Sequence, residues 1–389
     1  MAEDGAARQL DQDLNAVISG NSAFAYELYG RLKQAEGNLF FSPLNISTAL
    51  AMTYAGARGN TERQMAKALR FALSQEGLHS AFGSIKTRLD TLRRAGRVQL
   101  SIANSLWLQA GYSLLEPFLS FTRKHYDGTV ALMDCHRAPE AARLRINSWV
   151  EERTERRIKD VIRPGLLNPL VRLVLVSAIY FKGDWASPFE KWLTEHAPFW
   201  ISPEVSLPVP MMARTGSYKY AEEDGLQILE LPYAGGDLSM VVLLPKQISG
   251  LAETENALIA ERLDHRLQHL EEKKIRVFLP RFRIGYEFWL NDALKEMGMI
   301  DAFDMDKANF SGMDGNENYL YIAAVLHKAF VDVNEEGTEA TAGTAVIMKG
   351  RAMLPPTPVF RADHPFVFVV RDNSTASVLF IGRVVNPIE

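Results

Sequence analysis

His265 and His269 stand four apart in ERLDHRLQHLEE, with Glu261 and Glu272 beside them. That spacing puts two imidazoles on one face of a helix, where they could ligate a divalent metal. An exposed, charge-rich helix carries the same pattern, and no HExxH frames the pair, so no metal site is expected. Asp314, Asn316 and Asn318 open like a calcium loop. Tyr319 stands where glycine must make the turn, however, and Val325 where a glutamate must close the site. There is no GxSxG, no P-loop and no GxGxxG. No nucleophile–base constellation is visible either, so the chain is not expected to be an enzyme. The single cysteine, Cys135, excludes an intrachain disulfide and a multi-cysteine zinc site.

A different chemistry is written into residues 334–358, NEEGTEATAGTAVIMKGRAMLPPTP. The stretch is small and polar at first and proline-rich at its end, and strand-like sequence flanks it. A loop of about 25 residues in a compact fold is usually functional. Alternate residues from Thr338 give Thr338, Ala340, Ala342, Thr344, Val346 and Met348, an uncharged set that starts small. The other set, from Glu339 to Lys349, holds both charges. That is a strand with one face fit for a core, written into a segment that otherwise reads as a loop. On this pattern alone the segment is either a mobile linker or a loop in one state and a strand in another. Joining a sheet would add about a dozen hydrogen bonds at roughly 1 kcal/mol net each, on the order of a whole folding free energy.

The elements around it are helical at first. Asn21 or Ser22 can cap a helix through Phe24, Leu28 and Leu32. Ser42-Pro43 starts a second, and residues 79–95 and 139–160 carry two more. Strands are expected at Val98–Gln109, at Arg172–Phe181 as an apolar run buried on both faces, at Asp237–Leu244 and at Ile275–Leu279. Val367–Val370 and Val378–Val385 read as a closing hairpin. No repeat and no linker divides the chain, so one α+β domain with large sheets flanked by helices is expected.

Composition agrees: 47% hydrophobic and 23% charged residues are ordinary globular usage. A net charge of −4 gives no reason to expect nucleic-acid binding. No run of 18 apolar residues offers a membrane span. The start, MAEDGAARQLDQDLN, lacks the features of a signal peptide. A cytoplasmic location is expected, or a secreted one if a leader precedes this sequence.

Several separated motifs, in order, make the sequence resemble a serpin: NLFFSPLNISTALAMTYAGARGNT at 38–61, ANSLWLQ at 103–109, PEAARLRINSWVEERT at 139–154, LVLVSAIYFKGDW at 173–185, LPYAGGDLSMVVLLP at 231–245, HKAFVDVNEEGTEA at 327–340, HPFVFVVRD at 364–372 and FIGRVVNP at 380–387. The resemblance runs from about Asn21 to the C-terminus. It implies one serpin domain over residues 1–389, with a reactive-centre loop at 334–360 that inserts into the main sheet. Glu335, Glu336, Gly337, Thr338, Glu339 and Ala340 resemble the hinge of inhibitory members, and the hinge runs on through Thr341, Ala342 and Gly343. Thr341 and Gly343 depart from the family's alanines, which bears on the speed of insertion and not on its direction. The family's spacing puts the specificity residue 16 positions after Glu335, at Arg351, with Ala352 beyond the scissile bond. Lys349 is a competing basic position.

An arginine there implies a trypsin-like serine protease as partner, trapped as an acyl-enzyme by a monomeric suicide inhibitor that needs no cofactor. The alternatives are a non-inhibitory carrier or chaperone, and an inhibitor of cysteine proteases. The resemblance further pairs Glu335 with Arg281 at the top of the main sheet, in the breach, with Trp185 beside them. An ordinary surface ion pair and plain core packing are the competing readings of those residues. Ser42, Asn45, Ser177 and His327 fall on the family's polar cluster, the shutter. The family commonly has serine where Asn45 stands and asparagine where Ser177 stands, so the two residue types look exchanged. Lys86, Arg93 and Arg97, with Arg88 and Arg94, lie where some serpins bind sulfated polysaccharide, although Asp90 interrupts the stripe and a solvated face is the alternative.

Overall fold

The apolar run from Leu173 to Phe181 is buried throughout and forms most of a central strand. The computed structural model of the chain describes residues 2–223, 225–260, 263–316, 320–336 and 357–388. Its strands, in chain order, are β1 (Leu39–Phe41), β2 (Val98–Gln109), β3 (Thr129–Met133), β4 (Leu173–Gly183), β5 (Glu195–Ser202), β6 (Val205–Glu223) and β7 (Leu226–Pro232). They continue as β8 (Leu238–Pro245), β9 (Glu271–Pro280), β10 (Phe282–Trp289), β11 (Ile322–Val333), β12 (Val359–Arg361), β13 (Phe366–Asp372) and β14 (Val378–Val384). The main helices of the first half are α1 (Ala2–Leu32), α2 (Pro43–Tyr54), α3 (Gly59–Ala68), α4 (Gln75–Arg94), α5 (Glu116–Tyr126) and α6 (Pro139–Arg153).

The fold is α+β, with helices flanking two large sheets. A five-stranded sheet has the order β10-β11-β4-β2-β3. The other sheet runs β1-β14-β13-β8-β7-β6-β9-β12, with β5 paired to β6. The expected closing hairpin is β13 and β14, antiparallel from Phe366↔Val384 onward. α2 starts as the sequence requires: the Ser42 hydroxyl accepts the Asn45 N–H at 3.2 Å, and Pro43 sits where a missing N–H leaves no bond unmade. α6 lies across the five-stranded sheet and buries Ile146 and Val150 against Trp107, Val174 and Val176.

Three helix boundaries differ from the sequence reading. α4 begins at Gln75 and not at 79; the Ser74 hydroxyl caps it by accepting the Gly77 N–H at 3.4 Å. α1 begins at Ala2 and passes through Asn21 and Ser22 without a break. Leu10, Leu14 and Val17 extend the face of Phe24 and Leu28 upstream, and Asn21 turns its amide to the Val378 carbonyl at 3.2 Å in place of capping. α6 stops at Arg153, because Glu155 and Arg156 take left-handed backbone with φ of 51° and 62°.

Candidate functional site

β4 and β11 lie side by side as a parallel pair, in register from Ala324↔Val174 to Val331↔Phe181, with no strand between them. Both strands run toward the same end of the sheet. There β11 passes into Asn334, Glu335 and Glu336, and β4 passes through Gly183 to Trp185. Parallel ladders are somewhat less stable per residue than antiparallel ones, so this seam is the weaker kind of joint.

The top of the seam is tied by both backbone and side chains. Trp185 N–H donates to the Glu336 carbonyl at 3.1 Å, and Phe189 N–H to the Glu335 carbonyl at 3.2 Å. The Trp185 indole Nε1–H donates to the Asn334 carbonyl at 2.8 Å, while its ring stacks on Tyr233 at 4.7 Å. The Glu335 side chain is only 2% exposed. It accepts from the Arg281 guanidinium and, at 2.7 Å, from the Thr194 hydroxyl. Burial pushes its carboxyl up, but those two donors outweigh burial and hold it below its ordinary value. Glu336 pairs with Lys182 on β4, and Lys191 lies 3.8 Å away.

Lower in the sheet, Asn104 on β2, Ser177 on β4 and His327 on β11 stand opposite one another in register. They make one polar row across three strands. The Asn104 amide donates to Asn45 Oδ1 at 2.7 Å, and Asn45 Nδ2 donates to Ser177 Oγ at 2.8 Å. His327 Nε2 accepts the Ser42 N–H at 3.0 Å, which assigns the ring proton to Nδ1, 3.1 Å from Ser177 Oγ. The Ser42 hydroxyl donates in turn to the Leu379 carbonyl at 2.7 Å. His327 is fully buried, and burial pushes its pKa down to about 3, so it is a neutral hydrogen-bonding group.

A family model described as "Serpin (serine protease inhibitor)" matches residues 19–387. The chain is a serpin. Leukocyte elastase inhibitor A of Rattus norvegicus is 42% identical, over 96% of this chain and 100% of its own length. Human leukocyte elastase inhibitor is 40% identical over the same shares. Among solved structures, uncleaved ovalbumin superposes with a TM-score of 0.87 at 34% identity, covering 96% of this serpin and 100% of ovalbumin.

Of the residues that the resemblance assigned to this serpin, Arg281, Glu335 and Trp185 come together at the top of the seam. Ser42, Asn45, Ser177 and His327 form one network. Glu336 is described, whereas Gly337, Thr338, Glu339, Ala340, Thr341, Ala342, Gly343, Lys349, Arg351 and Ala352 lie outside the described residues. Sequence reasoning missed Thr194, Lys182 and Asn104. Only Asn104 carried a signal, as an amide inside the strand ANSLWLQ with apolar residues on both sides of the Asn-Ser pair.

The basic stripe of this serpin is largely engaged in ion pairs. Lys86 and Arg93 pair with Asp90 at 3.0 and 3.3 Å, and Arg88 pairs with Asp237 and Asp372, both at 2.9 Å. The His265 and His269 rings lie 5.0 Å apart. Among the described residues no group of three or more His, Cys, Asp or Glu is placed to hold a metal ion. None of their helices is long and apolar enough to cross a membrane.

Proposed function

We propose that this serpin is an irreversible suicide inhibitor of trypsin-like serine proteases, cleaved between Arg351 and Ala352. The observation that carries the reading is the parallel β4–β11 seam with Glu335 at its top. A strand returning from Glu335 between the two would run antiparallel to both. One parallel ladder would give way to two antiparallel ones, a gain in hydrogen bonds and in ladder quality. The protease serine attacks the Arg351 carbonyl and forms an acyl-enzyme, and the amine of Ala352 leaves. Residues from Thr338 onward then enter the seam, with Thr338, Ala340 and Ala342 facing the core, and the tethered protease is carried off and distorted before water can deacylate it. Arg281, Thr194 and Lys182, which hold Glu335 and Glu336, would gate the first step.

Titration with trypsin tests the proposal. A covalent complex that survives SDS, with a released fragment starting at Ala352, is expected. Rapid cleavage without a complex would sink trypsin inhibition. A melting temperature that still rises after cleavage would then point to another target protease, and none rising would point to a carrier or chaperone. The names of the relatives favour a second reading, an elastase-directed inhibitor cleaved at another bond of the same loop. A parallel titration with elastase, and the mass of the fragment released, separates the two. Papain in a third arm addresses cysteine proteases.

A further inference from the structure

β12 is the first described strand after the reactive segment, and it carries an electrostatically incomplete arrangement. It pairs with β9 in parallel, Val359↔Arg276 and Arg361↔Phe278, and β9 pairs with β6, Arg276↔Thr215 and Lys274↔Ser217. Residues opposite one another share a face, so Lys274, Arg276, Phe278 and Arg361 line one side of this three-strand platform. Ile275, Val277 and Phe360 are buried on the other. Both guanidiniums stack on one ring: Arg361 lies 3.7 Å and Arg276 4.9 Å from the Phe278 centroid. Neither arginine, nor Lys274, has a carboxylate within ion-pair distance among the described residues. By contrast, the neighbouring Lys219, Lys246 and Lys273 pair with Glu230, Glu222 and Glu271. Two like charges on one phenyl ring repel each other, and an incoming anion relieves that repulsion.

The position of the platform identifies the anion. Val359 lies eight residues after Arg351, at most about 28 Å of extended chain. A protease of ordinary domain size seated on Arg351 overhangs this platform. We propose that Lys274, Arg276 and Arg361 form a cationic docking surface for the target protease, selecting enzymes with acidic surface beside the primed side of the active site. This rests on the inhibitory reading above. It adds a second specificity determinant, which acts on the rate of encounter and not on the chemistry at Arg351.

The test compares anionic and cationic trypsin, two enzymes of one specificity and opposite net charge. Association rates are measured by progress curves at low and high salt, for the full chain and for the Arg276→Glu/Arg361→Glu variant. The wild type is expected to capture anionic trypsin about 10-fold faster than cationic trypsin at low salt, with the gap closing at high salt. The double variant should lose or invert that preference while still forming covalent complexes. The milder Arg276→Gln/Arg361→Gln variant should fall between them, and it serves if charge reversal disturbs folding. Covalent complexes with equal, salt-insensitive rates in all forms would overturn the docking surface and leave the inhibitory reading standing. No complex with either enzyme would overturn the trypsin-directed reading and, with it, this docking surface. Unchanged protease rates together with substitution-dependent retention on heparin would overturn the protease assignment in favour of a polyanion.

Discussion

The Asn45 amide on α2 donates directly to the Ser177 hydroxyl on β4 at 2.8 Å. The exchanged residue types thus satisfy each other. Asn45→Ser would strand the Asn104 amide, and Ser177→Asn would crowd a second amide against the first. Each single change is expected to cost about 1–3 kcal/mol, and the double variant to recover at least about 1 kcal/mol of the sum. Urea unfolding of all four proteins closes the cycle, and strictly additive losses would refute direct coupling.

His327 makes stability depend on pH. Its folded pKa of about 3 lies below the ordinary value of 6.5, so the unfolded chain binds the extra proton between those values. Its neutral form therefore favours folding fully above pH 6.5, and that advantage falls by up to about 1.4 kcal/mol per pH unit below it. His79, buried and pushed down to about 3 as well, acts in the same direction. The difference between wild type and His327→Gln isolates the shutter histidine. Equal pH slopes in the two proteins would show that His327 is not buried as a neutral ring.

Glu335 gives an acid limb of its own. Its folded pKa is held below the ordinary 4.5, so its contribution is present above that value and is lost as pH falls through the folded pKa. Arg281→Ala removes one donor from a carboxylate that is almost fully buried, while Thr194 stays in place. A loss of about 2 kcal/mol at pH 7 is expected, with a shallower fall below pH 4.5. The same variant should insert its loop sooner, read as faster appearance of a heat-resistant form on incubation.

Thr338→Arg places a charge on the set of residues that would face the core. The expected outcome is a protein cleaved by trypsin without a lasting complex and without a rise in melting temperature. A normal covalent complex would show that this position does not enter the sheet.

Cys135 is buried, and burial together with the neighbouring Asp134 pushes its thiol up to about 11. Ellman's reagent at pH 8 should label it only after unfolding. Rapid labelling of the native protein would contradict the packing around β3.

Much of the sheet architecture was legible because burial on both faces leaves a plain signature. The run ending at Phe181 reads as a central strand, and Ser42-Pro43 as a helix start, and both are as expected. The chain positions of Glu335, Arg281 and the shutter residues were legible through family motifs, not through local physics. Thr194, just before β5, and Lys182, near the end of β4, escaped because a hydroxyl or an ammonium looks the same in sequence whether or not a distant carboxylate is aimed at it. The start of α1 escaped because Asn21 is a good cap in isolation. Only the distant Val378 carbonyl, which no local rule can see, gives its amide another use.

The polar row from Asn104 through Ser177 to His327 crosses the seam at the point where β4 meets β11. An inserting strand must therefore break the Ser177–His327 contact before its own bonds have formed. On the inhibitory reading, persistence of the five-stranded form is then a matter of barrier height and not of depth of minimum. On that reading the molecule has a working life, set by the ties at Glu335 and Glu336 together with this contact, and a change at the row resets this clock even where equilibrium stability hardly moves.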